Sequence, residues 1–156
     1  MFQKIILIVA LLFINMASAK EPMDNNSSKK SVKKKTLSGK KLMIVVSSGN
    51  LQKAGMGFAL ALSGVKQGAD VTILIGAEAL KYALAEGDQN VYFAKSRTPR
   101  TLLKDALKSG VNIQLCSANT EAMGWDEEDF IEGVKIVIST QIFAKVFADG
   151  TKVISF

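Results

Sequence analysis

Five short apolar runs separated by helical patterns constrain the fold of this chain more than any other feature. Residues 42–46 (LMIVV), 70–75 (DVTILI), 111–116 (VNIQLC), 134–139 (VKIVIS) and 152–156 (KVISF) are short and rich in β-branched residues. That is the pattern of strands buried in a parallel sheet. A helix is predicted over 51–67, where Ala54, Phe58, Ala61, Leu62 and Val65 share one stripe, with Gly68 as its stop. A second is predicted over 77–85, entered at Gly76 and stopped by Gly87. Thr98 and Pro99 make a cap followed by proline at the first helical position, so a third helix runs to Lys108 with Leu102, Leu103, Ala106 and Leu107 inward. Residues 119–123 form a helical turn closed by Gly124, and a further short turn starts at Asp126. Thr140 caps a last helix over 141–148, with Ile142, Phe143, Val146 and Phe147 as its apolar face. Residues 89–97 fit either a short extra strand or a loop. The alternation predicts an α/β fold of three layers, α/β/α, with a mainly parallel five-stranded sheet between helices.

The segments before the first strand have a different composition. Residues 1–19 read as an export signal: a start carrying Lys4, an apolar run from Ile5 to Met16, then Ala17-Ser18-Ala19. Cleavage is predicted before Lys20. The competing reading, a retained anchor, needs about 20 apolar residues, and this run is shorter. Residues 20–41 carry eight lysines against Glu21 and Asp24 and few large apolar groups. Such a stretch cannot bury enough surface to offset the entropy of ordering, so it reads as a disordered linker. Any contact it makes with a membrane is through this basic tail. Residues 42–156 hold eleven basic and twelve acidic residues. The folded domain, 42–156, is therefore nearly neutral, which disfavours nucleic acid as a partner.

In parallel sheets, sites lie beyond the carboxyl ends of the strands. Three loops then share one rim: 47–50, 76–77 and 116–119. Cys116 is the sole cysteine, and the chain has no histidine. These two facts exclude most familiar catalytic constellations and a zinc site, and no cofactor is required. Cys116 closes a strand just before a short helix, where free N–H groups favour the thiolate. The competing reading is a buried, inert cysteine. Ser47, Ser48, Gly49 and Asn50, with Ser117 and Asn119, form a candidate anion-binding rim, although the loop lacks the spacing of a P-loop. A plain strand-to-helix turn is the alternative. Met123 and Trp125 either wall a sulfur-friendly pocket or belong to the core. The carboxylates at 126–129 fit a solvated surface or a helix start better than a metal site. Lys95, Arg97 and Arg100 read as solvent contacts, with steering of an anionic sulfur species as the alternative.

Taken in order, several stretches resemble the DsrE/DsrF-like family. They are Leu42-Met43-Ile44-Val45-Val46-Ser47-Ser48-Gly49, then residues 57–65 (GFALALSGV), then Gly68-Ala69-Asp70-Val71. Cys116 before a small-residue turn, Met123-Gly124, Glu128-Asp129 and the closing KVISF add to the likeness. The resemblance implies a DsrEFH-like three-layer domain over about 42–156 that assembles into trimers or hexamers. It also implies that Cys116 takes the place of the cysteine that carries persulfide sulfur in relay members of the DsrE/TusD type. Those members work in the cytoplasm, whereas this chain reads as exported. A second cysteine present in some relatives is replaced here by Thr120. The expected function is an exported, periplasmic sulfur carrier, at most sulfurtransferase-like. Its partners would be a sulfur donor and an acceptor, each a protein or a small thiol. The alternatives are a non-catalytic oligomeric binding module with an inert cysteine, or a small-ligand binder at the 47–50 rim.

Overall fold

Strand β1 (Lys41–Val46) lies between β2 (Asp70–Ile75) and β5 (Thr151–Ser155), and β3 (Asn112–Cys116) and β4 (Lys135–Val137) continue the sheet beyond β2. The order is β4-β3-β2-β1-β5, and every pairing is parallel. The computed structural model describes residues 37–86 and 97–156. The predicted signal, most of the linker and most of the 89–97 segment lie outside the described residues. Leu37 donates its N–H to the Gln67 carbonyl at 2.8 Å, and Asp70 donates to the Lys40 carbonyl at 2.8 Å. The last residues of the predicted linker are thus part of the folded domain.

Alternation along the strands sorts side chains between two faces. Ile44, Val46, Val71, Ile73, Ile75, Ile113 and Leu115 point to one face, and all are buried. Helix α1 (Leu51–Lys66) and helix α2 (Pro99–Lys108) cover that face. Helix α1 buries Ala54, Phe58, Ala61 and Leu62, most of the predicted stripe. Asn50 caps it, its Oδ1 accepting from the N–H groups of Gln52 and Lys53. A Cβ at Gly57 would come within 2.8 Å of Val46 Cγ2, so a glycine there lets α1 sit close on β1. Thr98 caps α2 as predicted, with Thr101 completing a reciprocal pair of capping bonds.

The steps from β1 to β2 to β3 to β4 all move in one direction across the sheet. The step from β4 to β5 returns past three strands to the opposite edge. Right-handed crossovers then require the helix of that last step to lie on the other face. Helix α4 (Ser139–Val146) does so, sharing cavity walls with Asp70, Thr72, Asn112 and Gln114. The three layers of the sequence reading are present, and among the described residues α4 is the helix that covers the second face.

Three local expectations are corrected. The helix expected over 77–85 is a 3-10 helix, Ala77–Tyr82. The chain then leaves it because Leu84 forms an antiparallel bridge with Phe130, and Ala85 and Ala83 exchange backbone bonds with Asp129 and Ile131. Tertiary pairing there overrides local helix propensity. Strand β4 ends at Val137 rather than 139, because its partner β3 ends at Cys116, paired with Val137. Thr140 lies inside α4 instead of capping it. The helix starts at Ser139, and the Gln141 side chain accepts from the Ile138 N–H at 3.0 Å. The apolar face of the last helix is only partly covered: Ile142 and Val146 are half-buried, while Phe143 is 57% exposed and Phe147, just beyond α4, 80%.

Candidate functional site

Cys116 is the last residue of β3 and the N-terminal boundary residue of the short helix α3 (Ser117–Met123). Its backbone is extended, with φ −73° and ψ 116°, and its thiol is free and half-buried. The period-two pattern puts Cys116 on the same face as Asn112 and Gln114, opposite Ile113 and Leu115. The connection after β3 carries Trp125, Phe130 and Ile131 onto the α1/α2 side, where Phe130 and Ile131 belong to the main core and Trp125 packs against it. The connection after β4 leaves on the opposite side. Ligands of open α/β sheets bind outside the carboxyl ends of the strands, above all where the strand order reverses, which here is between β1 and β5, beside the 47–50 loop. Cys116 stands on the same carboxyl rim, two strands away, where the β3 and β4 connections diverge.

The loop after β2 lies against the cysteine. Ala77 donates its N–H to Asn119 Oδ1 at 2.9 Å. A Cβ at Gly76 would come within 2.7 Å of that same oxygen and 3.7 Å of Cys116 Cβ, so only glycine lets the two loops approach this closely. Ala77 has φ +47°, the one non-glycine residue with positive φ among the described residues. That conformation costs an alanine about 1–2 kcal/mol and lies one residue from the Cys116 contact. Asn119 therefore ties the β2 loop to α3. Ser117 contributes its carbonyl, which accepts from the buried Thr120 hydroxyl at 3.0 Å. Gly124, left-handed at φ 68°, ends the helix.

The 47–50 loop is bonded internally. Ser47 and Ser48 donate their N–H groups to the Phe156 backbone oxygen at 3.0 and 3.4 Å. Asn50 N–H is taken by Ser48 Oγ at 3.1 Å. The Gly49 carbonyl accepts from the Tyr82 hydroxyl at 2.7 Å. Tyr82 also packs edge-on against Phe58 at 6.2 Å, and burial pushes its phenol above the usual value. The Ala77–Tyr82 helix thus links the 47–50 loop to the Cys116–Asn119 loop, and the three predicted rim loops are neighbours. Three of the amide groups that an anion would use at 47–50 are already engaged.

Met123 is exposed, and Trp125 packs edge-on against Phe130 at 6.0 Å. Trp125 is anchored to the core, while Met123 faces solvent. In the acidic turn, Asp126 accepts from Glu128 N–H and Asp129 accepts from Asp126 N–H, which is helix capping. No group of three or more potential metal ligands occurs among the described residues. Arg97 pairs with Asp105. Arg100 is buried and donates to the Ala85 carbonyl at 2.7 Å and the Glu86 carbonyl at 3.1 Å, so it staples α2 to that loop and is no solvent contact. Lys95 lies outside the described residues.

A polar floor on the Cys116 face went unremarked in the sequence reading. Asn112, Gln114 and Lys135 line a cavity of about 550 Å³ under α4, together with Val137, Gln141 and Lys145. The signal was available: in NIQLC, the residues alternating with Ile113 and Leu115 are polar or carry sulfur.

The model of the DsrE/DsrF-like family matches residues 40–156. Among solved structures, the ychN protein from E. coli aligns with a TM-score of 0.63 at 18% identity, over 75% of this chain and 99% of that one. MTH1491 from Methanobacterium thermoautotrophicum aligns with a TM-score of 0.56 at 14% identity, over 75% and 99%. BT1422 from Bacteroides thetaiotaomicron gives 0.56 at 18%, over 74% and 94%. No curated protein matches the chain. The family match spans every strand of the sheet and includes Cys116, and the similar structures share the fold. This chain belongs to the DsrE/DsrF-like family.

Proposed function

We propose that this protein is an exported sulfur carrier that accepts sulfane sulfur on Cys116. One observation carries the reading: the only thiol of the chain is half-buried at the carboxyl end of β3, on the rim where open parallel sheets hold their ligands. Family membership supplies the sulfur-relay-type fold. In the proposed step, Cys116 first loses its thiol proton to solvent. The thiolate attacks the outer sulfur of a donor R–S–SH, the donor's S–S bond breaks, and R–S⁻ leaves with the electron pair. Cys116 is left as Cys–S–SH, and no net oxidation occurs. A second thiolate then removes the outer sulfur by the same exchange. With one cysteine, no internal disulfide can discharge the persulfide, so the acceptor is a partner or a small thiol. The protein needs no cofactor for this chemistry. Export rests on residues 1–19, and no helix among the described residues is long and apolar enough to cross a membrane.

Native alkylation tests the reading. Cys116 should react with iodoacetamide in the folded protein at a rate comparable to that of an accessible thiol. A thiol that reacts only after unfolding would contradict it.

A second reading, a binding module that works through assembly, is favoured by the apolar surface. Phe143 on α4, Phe147 just after it, and Val153 and Ile154 on the edge strand β5 are exposed. An apolar edge of this kind is a template for association. We expect the protein to form a homo-oligomer, a trimer or hexamer. The double variant Phe143→Asp, Phe147→Asp should shift it to monomer in light scattering, because buried carboxylates without partners cost several kcal/mol. Retention of the parent mass would refute assembly through this face. The carrier and assembly readings are compatible, and the alkylation result decides whether the cysteine takes part.

A further inference from the structure

We propose that the cavity under α4 is a binding site for a small peptide or amino-acid thiol that bears carboxylate and ammonium groups, the form in which sulfur reaches or leaves Cys116. This inference rests on the carrier reading and deepens it. The first observation is Gln114. It is only 6% exposed, lines the cavity, and its buried Oε1 has no hydrogen-bond donor among the described residues. A buried carbonyl oxygen left unpaired is costly, so it calls for a donor. The second is the lining itself. Lys135 stands beside Gln114 in register on the sheet floor, and Lys145 and Gln141 stand on α4 opposite. Lys145 also lines the adjoining cavity with Lys41, Asp70 and Thr72. Three lysines against one aspartate make the whole groove a place for carboxylates, and Asp70 offers a partner for an ammonium group.

The third observation is position. Val137 lines the cavity and pairs with Cys116. Gln114 and Cys116 lie two residues apart on one strand face, about 7 Å along it. Cys116 does not itself line the cavity, so a ligand held by Gln114 and Lys135 has to extend its sulfur end past Val137 to meet the thiol. The volume of about 550 Å³ suits a molecule of tripeptide size. The exchange itself is the one already written, with R the bound thiol compound. Cys116–S⁻ and R–S–SH give Cys116–S–SH and R–S⁻, and the reverse transfer unloads the protein.

The probe is S-methylglutathione, which has two carboxylates and one ammonium and cannot exchange sulfur. It is titrated into the full-length protein and into Cys116→Ser and followed by NMR. The expected result is saturable binding, with the largest shifts at the Gln114 side-chain amide and at residues 135–145. Lys145→Glu and Gln114→Met should each weaken binding about tenfold. Gln114→Met keeps the side-chain length, so a folded variant is assured a reading. No saturable binding, or shifts confined to other regions, overturns the proposal. So does protection of the Gln114 amide by a second copy of the chain, which would make the groove an interface. Sulfur loading from inorganic tetrasulfide is measured separately. Loading without S-methylglutathione binding removes the groove and keeps the carrier. Binding without loading removes the carrier and keeps the groove as a peptide site.

Discussion

Phe58→Ala should lower the unfolding free energy by about 3–5 kcal/mol, the range for truncating a fully buried phenylalanine. Phe58 is 0% exposed and belongs to the core shared by α1 and the sheet. Domains of this size are stable by about 5–15 kcal/mol, so the loss is a large fraction of the total. The effect should also reach the site. Phe58 supports the Tyr82 ring, and the Tyr82 hydroxyl holds the 47–50 loop through Gly49. The Ala77–Tyr82 helix in turn abuts Cys116 through Gly76 and Asn119. Urea unfolding measures the first effect. A faster native alkylation of Cys116 in the same variant, under conditions where it remains folded, measures the second.

Cys116→Ser should abolish sulfur loading and transfer completely, because no other residue of the chain can form a persulfide. Its stability should change by less than about 1 kcal/mol, since the side chain is only half-buried and the swap is near-isosteric. Transfer is read by following the appearance of sulfane sulfur on an acceptor thiol after incubation with loaded protein. A Cys116→Ser protein that still delivers sulfur would show that the cysteine is a bystander. A variant that loses both delivery and fold would assign Cys116 a packing role.

The strands were legible because their signal is local. β2 appears over the predicted residues 70–75, and β1, β3 and β5 begin or end within one residue of expectation. Each is an apolar run too short for a helix. The cap and proline at Thr98 and Pro99 made the start of α2 equally plain. What could not be read was decided by residues far away in the chain. The 77–85 segment has a helical composition, yet Leu84 is taken by Phe130, which lies in a different connection. Residue Ser139 left the strand pattern because β3 had no more backbone to pair with, a fact about register that no window of sequence contains.

The site shows the same division. Cys116 at a strand end, and its place on the carboxyl rim, followed from pattern alone. The burial of Arg100 did not, because a charged residue on a helix is normally solvated, and only the free carbonyls of Ala85 and Glu86 made its burial favourable. Asn119 was singled out for an anion, while the fold uses its carboxamide to hold Ala77 in a strained conformation. The Phe143 and Phe147 face was correctly apolar. Amphipathic pattern says which side of a helix avoids water, not whether the same chain covers it.

The account stands most directly on the fate of Cys116 in the presence of a sulfur donor. Native protein is incubated with inorganic polysulfide, cleared of excess reagent, and examined by intact-mass and peptide mass spectrometry. The account predicts a gain of one sulfur atom, about 32 Da, on the peptide containing Cys116, reversed by a small thiol. Unmodified Cys116 in a protein whose thiol is accessible to alkylation would contradict it.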